Sequence, residues 1–223
     1  MRPLIREDEI TEILVEGSSQ LGISVGESCL SKMIRYLELV LDWGARMNLT
    51  SIRDPLEISV VHFLDSLTVF KVLPIGAALR VIDIGTGAGF PGMVLKIADS
   101  SLDVALLDRN PKKIVFLKHV AHRLGLQGVS FLNVPLGVLL GADKPPEFDV
   151  VVSRAVSSDP DFLDSLHLLL HPSGSLISMT GPRSDHRNRA LGNFILTDEW
   201  EGSLPFMSKF RRVSLYSRAW ERL

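Results

Sequence analysis

The chain has 223 residues, 46% of them hydrophobic and 22% charged, with a formal net charge of −2. That length suits one generous domain, or one domain with a small appendage, and the balance excludes a disordered tail or a fibrous repeat. A single cysteine, Cys29, excludes an intrachain disulfide and a cysteine-built zinc site.

The longest apolar runs, such as Val150 to Val152 or Leu168 to Leu170, are far too short to span a membrane. Met1 to Ile10 carries Arg2, Arg6, Glu7, Asp8 and Glu9 and no apolar core segment, so a cytoplasmic chain with no membrane partner is expected. Charge is uneven along the chain. Residues 1–30 hold two basic and six acidic side chains, whereas residues 181–223 hold eight basic and five acidic. A polyanion site, if there is one, is expected toward the basic end.

In chain order, Leu30, Met33, Ile34, Leu37 and Leu41 follow the spacing of an amphipathic helix. Asp54 before Pro55 predicts an N-cap with proline in the first helical turn, opening a helix with Leu56, Val60, Phe63, Leu67 and Phe70 on one side. Residues 1–73 are expected to form a helical extension, ended by Pro74 and Gly76, ahead of a second unit over 74–223. From residue 80 onward short apolar strands, Arg80 to Ile84, Val104 to Leu107, Val129 to Asn133, Phe148 to Ser153 and Ser175 to Met179, alternate with helical segments after Pro91, Pro111 and Pro160. That rhythm predicts an α/β fold, a mostly parallel sheet with helices on both faces. Arg211 to Ser217 is expected to add an antiparallel edge strand.

The segment Val81-Ile82-Asp83-Ile84-Gly85-Thr86-Gly87-Ala88-Gly89-Phe90-Pro91-Gly92 follows a strand and precedes a helix. Glycines permit a tight turn and let a ligand lie against bare backbone. A dinucleotide fingerprint needs another glycine three places after its second, where this chain has Phe90. The pattern present, with Asp83 two residues before Gly85 and further glycines at 87 and 89, suits S-adenosylmethionine, whose amino group and sulfonium Asp83 can balance. Asp108, ending the next strand, is placed to accept both ribose hydroxyls and to repel a 2′-phosphate. A nicotinamide-dependent oxidoreductase shares this sheet and turn and stands as the alternative.

The fourth strand ends in Ser153-Arg154-Ala155 and lacks the Asn/Asp-Pro-Pro-aromatic turn used to methylate exocyclic amines. Carbon methylation of a pyrimidine needs a cysteine nucleophile, and Cys29 is far along the chain from the strand ends. A ring nitrogen such as guanine N7 needs neither device, because it carries a lone pair and no proton. Arg154 is a candidate to hold the guanine, its phosphate or the methionine carboxylate. The pairs His119/His122 and His167/His171 have helical ligand spacing without a third ligand, so no metal is expected.

Asn48-Leu49-Thr50-Ser51-Ile52-Arg53-Asp54-Pro55, His62-Phe63-Leu64-Asp65-Ser66-Leu67, the glycine turn and Ser153-Arg154-Ala155 together resemble the glucose-inhibited division protein B family. The resemblance covers roughly residues 30–180. It implies a class I methyltransferase fold and S-adenosylmethionine-dependent methylation of guanine N7 in 16S ribosomal RNA of the small subunit. It also implies cofactor contacts at Gly85, Phe90, Arg154 and the Leu136-Gly137 backbone, with Asn48, His62 and Asp65 lining the cleft that admits the base. The RNA is expected along Arg46, Arg53, Arg183, Arg187 and Arg189, and the protein is expected to be a monomer. Two stretches depart from the family. Asn133-Val134-Pro135-Leu136-Gly137 replaces an Arg-x-Glu type stretch, and Met179-Thr180-Gly181 replaces Leu-Lys-Gly, with Arg183 as a substitute cation. Those losses leave a non-catalytic RNA-binding or assembly protein as a further alternative.

Overall fold

The structure is a computed structural model and describes residues 7–74, 78–154, 160–181 and 190–218. Helix α1 (Glu7–Gln20) starts with three acidic residues, where the helix dipole favours negative charge. Helix α2 (Glu27–Gly44) buries Met33, Ile34 and Leu37 of the predicted stripe together with Tyr36, Leu39 and Val40, while Leu30 and Leu41 stay partly buried. Asp54 caps α3 (Pro55–Ile58), accepting from the Glu57 N–H at 2.9 Å.

Beyond α3 the helix is not regular. Ser59–Leu64 is a π-helical turn, α4 (Asp65–Leu67) restores the α form, and Thr68–Lys71 tightens to 3-10. Hydroxyls along this rod donate to its own backbone carbonyls, Ser59 to Pro55, Ser66 to His62 and Thr68 to Asp65. Such back-bonding competes with the helical ladder and bends it. His62 sits in the π turn, a form that recurs at functional sites.

The sheet has eight strands, β1 (Arg80–Ile84), β2 (Asp103–Leu107), β3 (Val129–Leu132), β4 (Phe148–Ser153), β5 (Leu170–Thr180), β6 (Ala190–Leu191), β7 (Phe194–Ser203) and β8 (Phe210–Arg218). Their order is β3-β2-β1-β4-β5-β8-β7-β6. The first five are parallel, and β8, β7 and β6 follow antiparallel. The antiparallel edge is therefore three strands wide. The predicted Arg211 to Ser217 strand lies inside it, between β5 and β7.

Helices cover both faces, so the central strands read as continuous apolar runs. Val81, Val104, Leu106, Val150 and Val152 face a cluster that also takes in α1, α2, the π turn, α5 (Gly92–Ala98) and α6 (Pro111–Arg123). Ile82, Ala105, Leu107 and Val151 face the second cluster, beside α7 (Leu136–Leu140) and α8 (Pro160–Ser165). The N-terminal helices thus share one core with the sheet. Among the described residues no helix is long and apolar enough to cross a membrane.

Candidate active site at the carboxyl rim of the sheet

The strand order reverses between β1 and β4, and ligands of such sheets sit outside the carboxyl ends of the strands at that point. The glycine turn leaves β1 there, Asp108 follows β2, and Arg154 follows β4. Gly85, Gly87 and Gly89 all have positive φ, and the Phe90-Pro91 peptide is cis. At Gly85 (φ +71°) an added Cβ would meet nothing within 4 Å, so this part of the turn presents bare backbone to open space.

Asp83 is 1% exposed. Its Oδ2 accepts from the Thr86 hydroxyl at 2.6 Å and from the Gly92 N–H at 2.8 Å, closing the turn onto the start of α5. Burial pushes its carboxyl up to about 6, against the opposing pull of those two bonds and of Arg154. Asp108 is buried as well, its Oδ2 accepting from the Gly87 N–H at 3.0 Å and its Oδ1 from the Asn110 N–H at 2.8 Å. Lys113 Nζ stands 3.5 Å from Asp108 Oδ2. Asn133 donates to the Asp108 carbonyl at 2.9 Å, so the residue that departs from the family pattern ties β3 to β2.

Arg154 joins the rim to the helical layer. Its Nη2 donates to the His62 carbonyl at 2.9 Å and to Ser66 Oγ at 2.6 Å, and its Nη1 lies 3.2 Å from His62 Nδ1. A guanidinium only donates, so Nδ1 is the acceptor and the ring proton is on Nε2, 2.8 Å from Thr50 Oγ1. Burial first, then Arg154 and Lys209, push His62 down to about 3. His62 is neutral at any ordinary pH. Asp65, 2% exposed, pairs with Arg211 Nε at 2.7 Å and stands 3.8 Å from Arg154 Nη2.

Phe90 is the aromatic hub. Its ring stacks with Tyr36 (5.2 Å, 18°) and His62 (4.7 Å, 16°), while the Arg154 guanidinium carbon lies 5.5 Å from its centroid. The Tyr36 hydroxyl donates to the Ala88 carbonyl, so α2 braces the glycine turn directly. At Gly89 (φ +99°) an added Cβ would collide with the Tyr36 hydroxyl and stand 2.7 Å from Leu117. Gly89→Ala is therefore expected to cost about 2 kcal/mol in urea unfolding, combining overpacking with an unfavourable φ. A midpoint equal to that of the parent chain would show that the brace gives way freely.

Of the residues expected in the site, the structure gathers Asp83, Gly85, Gly87, Gly89, Phe90, Asp108, Arg154 and His62 at the rim. His62 and Asp65 meet through Arg154, and Asp65 lies beneath the surface of the cleft rather than lining it. Asn48 is exposed, and it is Thr50, two residues on, that reaches His62. Leu136 and Gly137 open α7 at the end of β3, the edge strand, with Gly137 exposed. Arg46 and Arg53 are both exposed, and Arg53 also donates to the Gly44 carbonyl at 2.6 Å. Arg183, Arg187 and Arg189 lie outside the described residues. Sequence reasoning missed Tyr36, Thr86, Ser66, Thr180 and Arg211. Thr86, a hydroxyl inside the glycine turn, and Ser66 and Thr180, inside stretches compared with the family, carried a signal; Tyr36 and Arg211 carried none.

Among the described residues, three buried side-chain polar atoms have no hydrogen-bond partner: Asp83 Oδ1, Arg154 Nε and Thr180 Oγ1. They sit at or just past the carboxyl ends of β1, β4 and β5, which are adjacent in the sheet. Unpaired buried polar atoms are few in native proteins and costly. Here an anionic acceptor, a cationic donor and a hydroxyl gather at the switch point. An ammonium facing Asp83 and a carboxylate facing Arg154 satisfy the first two, which is the donor set of an amino acid head group.

The model of the family described as rRNA small subunit methyltransferase G (GidB) matches residues 29–206. A ribosomal RNA small subunit methyltransferase G from Acinetobacter baumannii is 36% identical over 181 residues, covering 81% of this chain and 82% of that protein. Its namesake from Burkholderia pseudomallei is 37% identical over 185 residues, 82% of this chain and 80% of the other. Among solved structures, TrmN from Thermus thermophilus has a TM-score of 0.56 at 20% identity, covering 70% of this chain and 48% of that one. M. capricolum TrmK, in complex with S-adenosyl-homocysteine, has a TM-score of 0.54 at 14% identity, covering 69% and 67%. These structural likenesses show a methyltransferase-type fold.

Proposed function

The chain belongs to the rRNA small subunit methyltransferase G family, and from that premise we propose that it transfers a methyl group from S-adenosylmethionine to N7 of a guanine in 16S ribosomal RNA. It is an enzyme of ribosomal RNA methylation, and the nicotinamide and non-catalytic alternatives fall with that membership. The finer reading extends to a monomer working in the cytoplasm, with residues 1–73 as the helical extension and 74–223 as the cofactor-binding domain.

The observation that carries the site assignment is the trio of unpartnered atoms at the switch point. In this reading Asp83 Oδ1 accepts from the cofactor's ammonium, Arg154 Nε donates to its carboxylate, and the bare Gly85 backbone floors the cleft. Asp108 accepts from the ribose, exchanging part of its hold on Gly87 and Lys113. Leu136 and Gly137 meet the adenine through backbone. S-adenosylmethionine supplies an electrophilic methyl group on its sulfonium.

The chain's own residues then have positioning and electrostatic work to do. Guanine N7 offers a lone pair and has no proton to lose, so no general base is required and in-line alignment supplies most of the acceleration. His62 fits that requirement. Held near pKa 3 with Nδ1 occupied by Arg154, it is too weak a base to collect a proton at neutral pH and serves as a fixed wall beside Phe90. Asp65 acts through Arg154 and is a positioning residue. Asn48, exposed on the loop before α3, is the residue of the group free to meet the incoming base.

The test uses radiolabelled methyl donor and small ribosomal subunits that lack the modification. Digestion is expected to return label in 7-methylguanosine, from a preparation that sediments as a single 24.6 kDa chain. Label confined to another nucleoside rejects the atom assignment.

A further inference from the structure

Residues 109–142 hold five lysines and arginines and no acidic residue, in a chain whose 24 basic side chains are outnumbered by 26 acidic ones. Most of that charge is on α6, a 13-residue helix about 20 Å long. Its inner arc is apolar: Ile114, Phe116, Leu117, Val120 and Ala121 are buried. The opposite arc carries Lys112, Lys118, His122 and Arg123, all exposed, with Val115 the one apolar residue exposed among them. His119 stays partly buried against the Trp43 ring of α2, their centroids 5.2 Å apart. Exposed Arg46 lies just past the end of α2.

Two placements give this stripe a direction. Its first turn abuts the cofactor rim, since Lys113 Nζ is 3.5 Å from Asp108 Oδ2 and Asn110 caps the helix beside that carboxylate. The remainder runs away from the rim. On the same face of the sheet, α2 packs against both α6 and α1. Helix α1 carries Glu7, Asp8, Glu9, Glu12 and Glu16 and no basic residue. The helical layer is therefore acidic at one side and basic at the other, with the reacting rim next to the basic side. A polyanion is repelled from α1 and drawn to α6.

We propose that the exposed arc of α6, from Lys112 to Arg123, is the track that binds the phosphate backbone of the ribosomal RNA flanking the target base. This rests on the methyltransferase reading and deepens it. It adds the middle of the chain to a track first expected along Arg46, Arg53, Arg183, Arg187 and Arg189, the last three of which lie outside the described residues. Phosphate contacts of this kind set affinity and register without reading sequence.

The test is the triple variant Lys112→Gln, Lys118→Gln, Arg123→Gln, compared with a control, Arg80→Gln with Lys144→Gln, whose charges sit on the first residue of β1 and in the loop before β4, at the other end of the sheet. The probe is a protein-free 16S RNA transcript, and binding is measured across a salt series. The triple variant is expected to bind roughly tenfold more weakly near physiological salt, with a log–log salt slope shallower by about two. Calorimetric affinity for S-adenosylmethionine should be unchanged, and with subunits KM should rise while kcat is kept. Unchanged RNA affinity and slope overturn the proposal. So does an equal loss per charge in the control, which would make the effect one of net charge. A loss seen with whole subunits but not with free RNA assigns α6 to a ribosomal protein and overturns it too. Because binding is read without methyl transfer, an inactive parent chain would sink the functional reading and leave this test intact.

Discussion

Asp65→Ala is expected to lower the free energy of unfolding by about 3 kcal/mol, the cost of leaving buried cations without their carboxylate. Asp65 is 2% exposed, and the side chains it serves, Arg211 and Arg154, are 16% and 24% exposed. A domain's whole stability is only about 5–15 kcal/mol, so this one carboxylate is a large share of it. The pair also spans the molecule. Asp65 is on α4, Arg211 on β8 and Arg154 just past β4, so the carboxylate ties the helical layer to both the parallel and the antiparallel parts of the sheet. Asp65→Asn keeps an acceptor for the Arg211 Nε–H and should recover about half of the loss. Urea unfolding monitored by tryptophan fluorescence measures both variants. A shift under about 1 kcal/mol for the alanine variant would mean that solvent already screens the pair.

That network was only half legible in the sequence, and the reason is distance along the chain. His62 and Asp65, three residues apart, invite a local reading, whereas Arg211 is 146 residues from Asp65 and nothing in composition or spacing links them. Local signals fared better. The Asp54-Pro55 cap, the β1 and β4 boundaries and the turn from Asp83 to Gly92 are where residue types dictate them, because capping, burial on both faces and positive φ each act within a few residues. The π turn did not show, since it lies inside an otherwise regular apolar helical pattern that gives no local sign of the change in winding. Strand β7 did not show either. Only its first residue, Phe194, is buried, so it lacks the buried apolar run that marks the parallel strands. Tyr36 was concealed differently, lying on the apolar stripe of α2 while its hydroxyl reaches the glycine turn.

The second large effect is expected at Asp83, where stability and function should respond with opposite pH signatures. Burial raises its carboxyl to about 6 in the folded chain, against about 3.9 when unfolded. Between those values the unfolded chain has lost the proton and the folded chain still holds it. The group therefore contributes no penalty below about pH 4 and lowers stability progressively as pH rises through 6, by about 3 kcal/mol in all. Asp83→Asn retains an oxygen for the Thr86 and Gly92 donors and cannot ionise, so it should lack that decline. The difference in unfolding free energy, variant minus parent, should rise between pH 4 and pH 7.5. Cofactor affinity should move the other way. The parent carboxylate is ionised at pH 7.5 and Oδ1 is free to take a cationic donor, whereas the variant offers an amide that repels it. A charged hydrogen bond lost in a buried site corresponds to roughly a 30- to 100-fold weaker Kd. The parent should also bind more weakly as pH falls below 6, because each binding event must then release a proton, while the variant stays flat. Calorimetry at pH 5.5 and 7.5 reads both trends. Equal affinities for parent and variant at pH 7.5 would leave Asp83 with the glycine turn alone, and Oδ1 would need another partner.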